Sequence, residues 1–189
     1  MRKLLLISIA VLVLCPVLSA QRPASDRGGE FRHNEIGLSY GVGTTPTVIN
    51  AFATIFSLGT TKLDNMSYGA LSLDYHYFPI KHVGIGGTIC YEQGFTDEHR
   101  DYTTNSHYFT LMAGAKFYWF NTPYVGMYSR ASLGATAIYR VTDGDIRYGW
   151  LPAYQLGIAG IEVGGKVRCF FEFGSGNRGV FQAGIRAKF

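Results

Sequence analysis

Along most of this chain, apolar residues alternate one for one with small or polar ones. In the stretch VRCFFEFG, Val167, Cys169, Phe171 and Phe173 share one side, and Arg168, Phe170, Glu172 and Gly174 share the other. A period of two marks a β-strand whose faces meet different surroundings. Seven further stretches follow the same rule. In 36–43, Ile36, Leu38, Tyr40 and Val42 stand against glycines and Ser39; in 70–77, Leu71, Leu73, Tyr75 and Tyr77 stand against Ala70, Ser72, Asp74 and His76. Residues 83–92 set Ile85, Ile89 and Tyr91 against Thr88, Cys90 and Glu92, and 108–119 set Phe109, Leu111, Phe117 and Trp119 against Thr110, Met112 and Lys116. The fifth stretch, 124–139, sets Met127, Leu133 and Tyr139 against Tyr128, Arg130 and Ser132. The sixth, 150–159, sets Tyr154, Leu156 and Ile158 against Gln155 and Gly157, and the eighth, 179–189, sets Phe181, Ala183, Ile185, Ala187 and Phe189 against Gln182, Gly184, Arg186 and Lys188.

The strand charges fall in step with this pattern. Asp74, Glu92, Lys116, Arg130, Arg168, Glu172, Arg186 and Lys188 all lie on the small-residue face and none on the bulky one. The connections also alternate: 44–67, 93–104 and 140–149 are longer and polar, whereas 79–82 and 121–123 are tight, proline-bearing turns. The link at 160–166 is glycine-rich and 175–179 is short. Such spacing predicts an all-β, up-and-down antiparallel meander of eight strands. A soluble eight-stranded barrel would turn the apolar face inward, but its interior is only just wide enough for side chains. Tyr40, Tyr91, Trp119, Tyr139, Trp150 and Phe189 belong to a bulky face too large for that space. The bulky face is therefore expected to meet lipid, with these six aromatics at the membrane interfaces. The Gly/Ser/Ala/Thr face and its charges then fill the lumen as an ion-pair network.

Composition agrees. Charged residues are only 16% of 189, aromatics 15%, and there are 24 glycines, an unhelical and charge-poor chain. Residues 1–20 carry Arg2 and Lys3, an apolar centre and Ser19-Ala20, and are expected to be a cleaved signal peptide, followed by a periplasmic segment at 21–33 and the barrel at 34–189. Without Arg2 and Lys3 the 17 basic residues become 15 against 13 acidic ones, so nucleic acid is not an implied partner. Cys90 and Cys169 fall on opposite faces and are expected as free thiols. In TTPTVINAFATIFS, Thr45 and Pro46 can open a helix whose stripe is Val48, Ile49, Phe52, Ile55 and Phe56; an extension of the first hairpin is the alternative.

Catalytic chemistry finds little support. His33, His76, His82, His99 and His107 lack metal-ligand spacing, and Asp74 with His76 is expected to be a packed interior pair. No Gly-x-Ser-x-Gly elbow occurs. The 97–101 stretch, DEHRD, is expected to be a solvated loop tip. No catalytic residue, metal or cofactor is assigned.

The final alternating run, with apolar positions Phe181, Ala183, Ile185, Ala187 and Phe189, resembles the C-terminal assembly signal of bacterial outer-membrane proteins. The tract 171–189, FEFGSGNRGVFQAGIRAKF, together with the leader ending LSAQ, resembles small outer-membrane β-barrel proteins of Bacteroides-type bacteria. These are similar in architecture to OmpX and the OmpA membrane domain. The resemblance implies an outer-membrane location with both termini periplasmic, outer-membrane lipid as surroundings, and the barrel assembly machinery as a partner through the last strand. It supplies no catalytic set, and any extracellular partner is unspecified. The expected function is envelope-structural or adhesive through extracellular loops. A narrow channel or a lipid-modifying enzyme is the alternative.

Overall fold

The computed structural model describes residues 32–44, 65–98, 102–142 and 145–189. Eight strands follow in order: β1 (Asn34–Val42), β2 (Asn65–Ile80), β3 (Val83–Glu98), β4 (Tyr102–Asn121), β5 (Val125–Thr142), β6 (Asp145–Gly164), β7 (Val167–Gly176) and β8 (Phe181–Lys188). Each pairs antiparallel with its neighbours, and β8 returns to β1, so the sheet closes into a barrel. Partners run from Asn34 through Tyr77, Ile85, Ala115, Ala131 and Leu156 to Ser175. A line leaving the start of β1 thus arrives near the far end of β7, the stagger of steeply tilted strands.

The bulky face points out on every strand. Phe109 is 54% exposed and Ile185 42%, whereas Arg130 is 2% and Glu172 0%. From Phe109 to Trp119 the outward positions of β4 cover about 25 Å of height, at about 3.3 Å per residue and a tilt near 40°. That is the height of the apolar band a bilayer requires. Closure satisfies every ladder edge within it, as hydrocarbon demands.

Three sequence expectations are corrected. Residues 93–104 and 140–149 are largely strand rather than loop, since Gln93 pairs with His107, Glu98 with Tyr102 and Arg140 with Arg147. Above the bilayer both faces of a strand meet water, so alternation fades while backbone pairing continues. The 160–166 link is likewise mostly β6, which runs to Gly164. Cys90 is a free, buried thiol, but Cys169, on the outer face of β7, is disulfide-bonded. The two face opposite sides of the wall, which keeps them from pairing with each other. The helix expected at 45–57 lies outside the described residues.

Strand lengths are uneven. β1, β7 and β8 are 9, 10 and 8 residues long, close to the minimum for crossing a bilayer. β2 to β6 have 16 to 20 residues and rise well above them at the end opposite the termini. β6 pairs with β7 only from Gln155 onward, so among the described residues its 145–153 edge has no strand on that side.

Candidate functional site

Charged side chains enter the lumen opposite glycines, because a narrow barrel has room for one large group only where its neighbour has none. Gly37 faces Asp74, Gly157 faces Glu172 and Arg130, and a Cβ on Gly160 would overlap the Tyr128 ring. The result is one linked cluster in the terminus-bearing half of the barrel. Glu162 receives Lys116 at 3.3 Å, Arg168 at 2.6 Å, Arg186 at 2.8 Å and Lys188. Glu35 receives Lys116 at 2.9 Å, Arg186 at 3.0 Å and Lys188 at 3.6 Å. The Tyr118 hydroxyl accepts from Lys116 at 2.6 Å and Lys188 at 2.9 Å and donates to Glu35 at 3.0 Å. Lys116 also lies 3.9 Å from the Tyr128 ring centroid, and the Arg186 guanidinium 3.9 Å from that of Phe170.

Farther in, Asp74 gathers three guanidiniums: Arg178 at 3.0 Å, Arg130 at 3.6 Å and Arg186 at 3.8 Å. Arg130 also approaches Glu172 at 3.4 Å, whose other oxygen accepts from the Tyr128 hydroxyl at 2.9 Å. Seven of the eight lumen charges read from the sequence thus join one cluster. Glu92 stands apart, accepting from the hydroxyls of Thr44 and Ser67, with no cation beside it among the described residues. Arg168 lies directly opposite Arg186, so like charges require a carboxylate between them, and Glu162 supplies it.

Sequence reading missed three members. Glu35 lies one position before the first alternating stretch, in phase with Gly37 and Ser39, and extending the phase would have found it. Glu162 is hidden by a bulge: Ile158 is an extra residue in β6, so inward positions change from Gln155 and Gly157 to Gly160 and Glu162. Arg178 belongs to the β7–β8 turn, which dips into the barrel. Gly179, at φ +107°, turns the chain there, and its carbonyl accepts from Gln155 and Gln182. No periodic signal marks an inward turn.

Glu35, Asp74 and His76 could together offer three ligand atoms to a metal ion. His76 Nδ1 is 3.7 Å from Asp74 and 3.9 Å from Glu35. Both carboxylates already face Arg186, and Lys116 and Arg130 each face one of them, so a divalent cation would enter a field already positive. The donor set fits a packed ion-pair cluster better than a metal centre.

The six outward aromatics lie on the bulky face. Tyr40, Trp119, Trp150 and Phe189 are exposed. Tyr91 stacks on His107 and donates to or accepts from its Nδ1 at 2.9 Å, and His107 in turn meets Tyr139, which meets Tyr148. On β8, Phe181, Ala183 and Ile185 are exposed and Ala187 half-buried, with Phe181 against Phe171 and Phe173.

No known family profile matches this chain, and no curated protein does. Among solved structures it is similar to Ail, the attachment invasion locus protein of Yersinia pestis, at 16% identity and a TM-score of 0.44, over 82% of this chain and 95% of that one. The same protein in complex with the heparin analogue sucrose octasulfate matches at 17% identity and a TM-score of 0.45, over 83% and 97%.

Proposed function

We propose that this chain is a non-enzymatic integral protein of the bacterial outer membrane, with termini in the periplasm and its activity at the outer end. The observation that carries this reading is the combination of a closed barrel, a continuous apolar exterior and a lumen packed with ion pairs. Such a barrel has no face left for water except its two ends. The buried cluster serves to fill the lumen and hold strand register, since a slip of one residue would turn each of its charges into lipid. Tyr40, Tyr91, Trp119, Tyr139, Trp150 and Phe189 act as interfacial anchors. The last strand, with Phe181, Ala183, Ile185, Ala187 and Phe189, is the segment offered to the assembly machinery.

Envelope structure or surface recognition is the role this supports. The overhanging part of β6 favours recognition: Tyr148, Trp150 and Leu151 are exposed beside an edge that carries no strand among the described residues, which suits an extended segment of a partner protein adding as a strand. Expression in a Gram-negative host tests the reading. The protein should fractionate with outer membranes, migrate differently on gels before and after boiling, and give no steady conductance in planar bilayers. Recovery as a soluble protein with unchanged mobility would refute it, and a discrete conductance would favour a narrow channel instead.

A further inference from the structure

The tall wall of the barrel carries two arginines on the inner face of its rim. Arg140 and Arg147 stand directly opposite each other across β5 and β6, in phase with the buried Thr136 and Ala153 lower on the same strands. Both are exposed. Arg140 donates from Nε to Ser106 Oγ at 3.3 Å, and among the described residues neither arginine has a carboxylate partner. Like charges facing each other across a ladder repel, so the pair is relieved by a negative group placed beside it.

The overhanging edge of β6 lies next to this pair. Where β7 stops, Tyr154 N donates to Asn177 Oδ1 at 3.1 Å and the Tyr154 carbonyl accepts from Asn177 N at 2.9 Å. Backbone groups of every second residue point the same way along a strand. Those of Pro152, Trp150 and Tyr148 therefore point to the side that β7 has left. Pro152 has no N–H, so the first donors offered to an added strand are those of Trp150 and Tyr148. Their side chains stand on the outer face, 75% and 77% exposed. On the inner face, a Cβ on Gly149 would meet only Ile138, at 3.9 Å, which leaves the space beside Arg147 open.

Resting on the strand-addition reading above, we propose that the occupant of this edge is an extended peptide of a partner protein in which acidic and apolar residues alternate. Paired antiparallel with Trp150 and Tyr148, it sends every second side chain to the arginine face and the others to the aromatic face. The residue opposite Arg147 is an Asp or Glu that answers both guanidiniums, and the residue opposite Tyr148 is apolar. The chain's own segment 45–63 contains no Asp or Glu, so it does not supply the acidic face. A second copy of this chain would bring the same two arginines to the same face.

The test measures binding of short labelled peptides to the refolded barrel in zwitterionic micelles by fluorescence anisotropy. One peptide alternates Asp and Val, a second alternates Lys and Val, and a third is the Asp–Val peptide with its valine nitrogens methylated. The Asp–Val peptide should bind about tenfold more tightly than the Lys–Val peptide, as two partly exposed ion pairs allow, and salt should narrow the gap. Replacing both arginines, Arg140→Glu with Arg147→Glu, should reverse that order. Tyr148→Pro, which removes an edge donor, should abolish binding while the heat shift on gels is kept; if that variant does not fold, the methylated peptide decides, and it should not bind. Equal affinity for the two peptides, or a preference that the double variant retains, would overturn the acidic assignment and leave strand addition standing. Binding that methylation leaves intact, or no binding of any peptide, would overturn strand addition and the proposal with it. Capture of dextran sulfate without the Asp–Val peptide would assign the arginines to a polysaccharide instead.

Discussion

Glu162 accepts four cations, and its removal isolates more buried charge than any other single truncation in the lumen. Breaking a buried pair from one side costs about 3–5 kcal/mol, because the partner charge stays buried without compensation. Glu162→Ala should therefore lower unfolding free energy in urea by about that amount, and Glu92→Gln by much less, because among the described residues Glu92 accepts from hydroxyls and faces no cation. Equal losses would mean that Glu162 is no hub. On the other face, Leu133 is exposed within the belt and pairs with Ala113. Leu133→Arg should cost about 2–4 kcal/mol in bilayers, whereas Ser132→Ala, one position away and inward, should be nearly neutral. Reversal of that order in a folding assay would reject the assigned faces.

β6 shows how one irregularity decides the chemistry of a whole element. Its extra residue, Ile158, changes the inward parity so that Glu162 enters the lumen. Deleting Ile158 restores a regular ladder against β5 and β7 and leaves Glu162 facing inward. That deletion should yield a heat-shifting, folded barrel, and failure of the shortened chain to fold would mean that the bulge does more than set the parity of Glu162. Alternation made the membrane-spanning part of each strand legible, including the inward charges of β2, β4, β5, β7 and β8. It did not reveal where β3 to β6 continue above the bilayer, because beyond the apolar band an outward position such as Asn105 need not be apolar, even where its inward neighbour Ser106 is buried and accepts from Arg140.

As a whole the molecule is lopsided: β2 to β6 rise on one side, while β7, β8 and β1 stop near the bilayer surface. The turn at Gly165 and Lys166 lies at the end where Lys188 donates to Lys166 and Phe189 pairs with Asn34. In a chain whose Cys90 and Cys169 are replaced by serine, Tyr148→Cys should react with a membrane-impermeant maleimide on intact cells. Lys166→Cys should react only after the outer membrane is opened. Labelling of Lys166→Cys alone on intact cells would invert the orientation.

Sequence alone determined the eight-fold alternation, the outward aromatics and the inward charges, because each depends on the parity of neighbouring residues and on which solvent each face meets. Only the closed tertiary structure decided which charges share a carboxylate. Glu35, Glu162 and Arg178 come from three elements distant along the chain, and a bulge, a strand end and an inward turn bring them together. Parity is a local property, but charge balance inside a sealed cylinder is set by all eight strands at once.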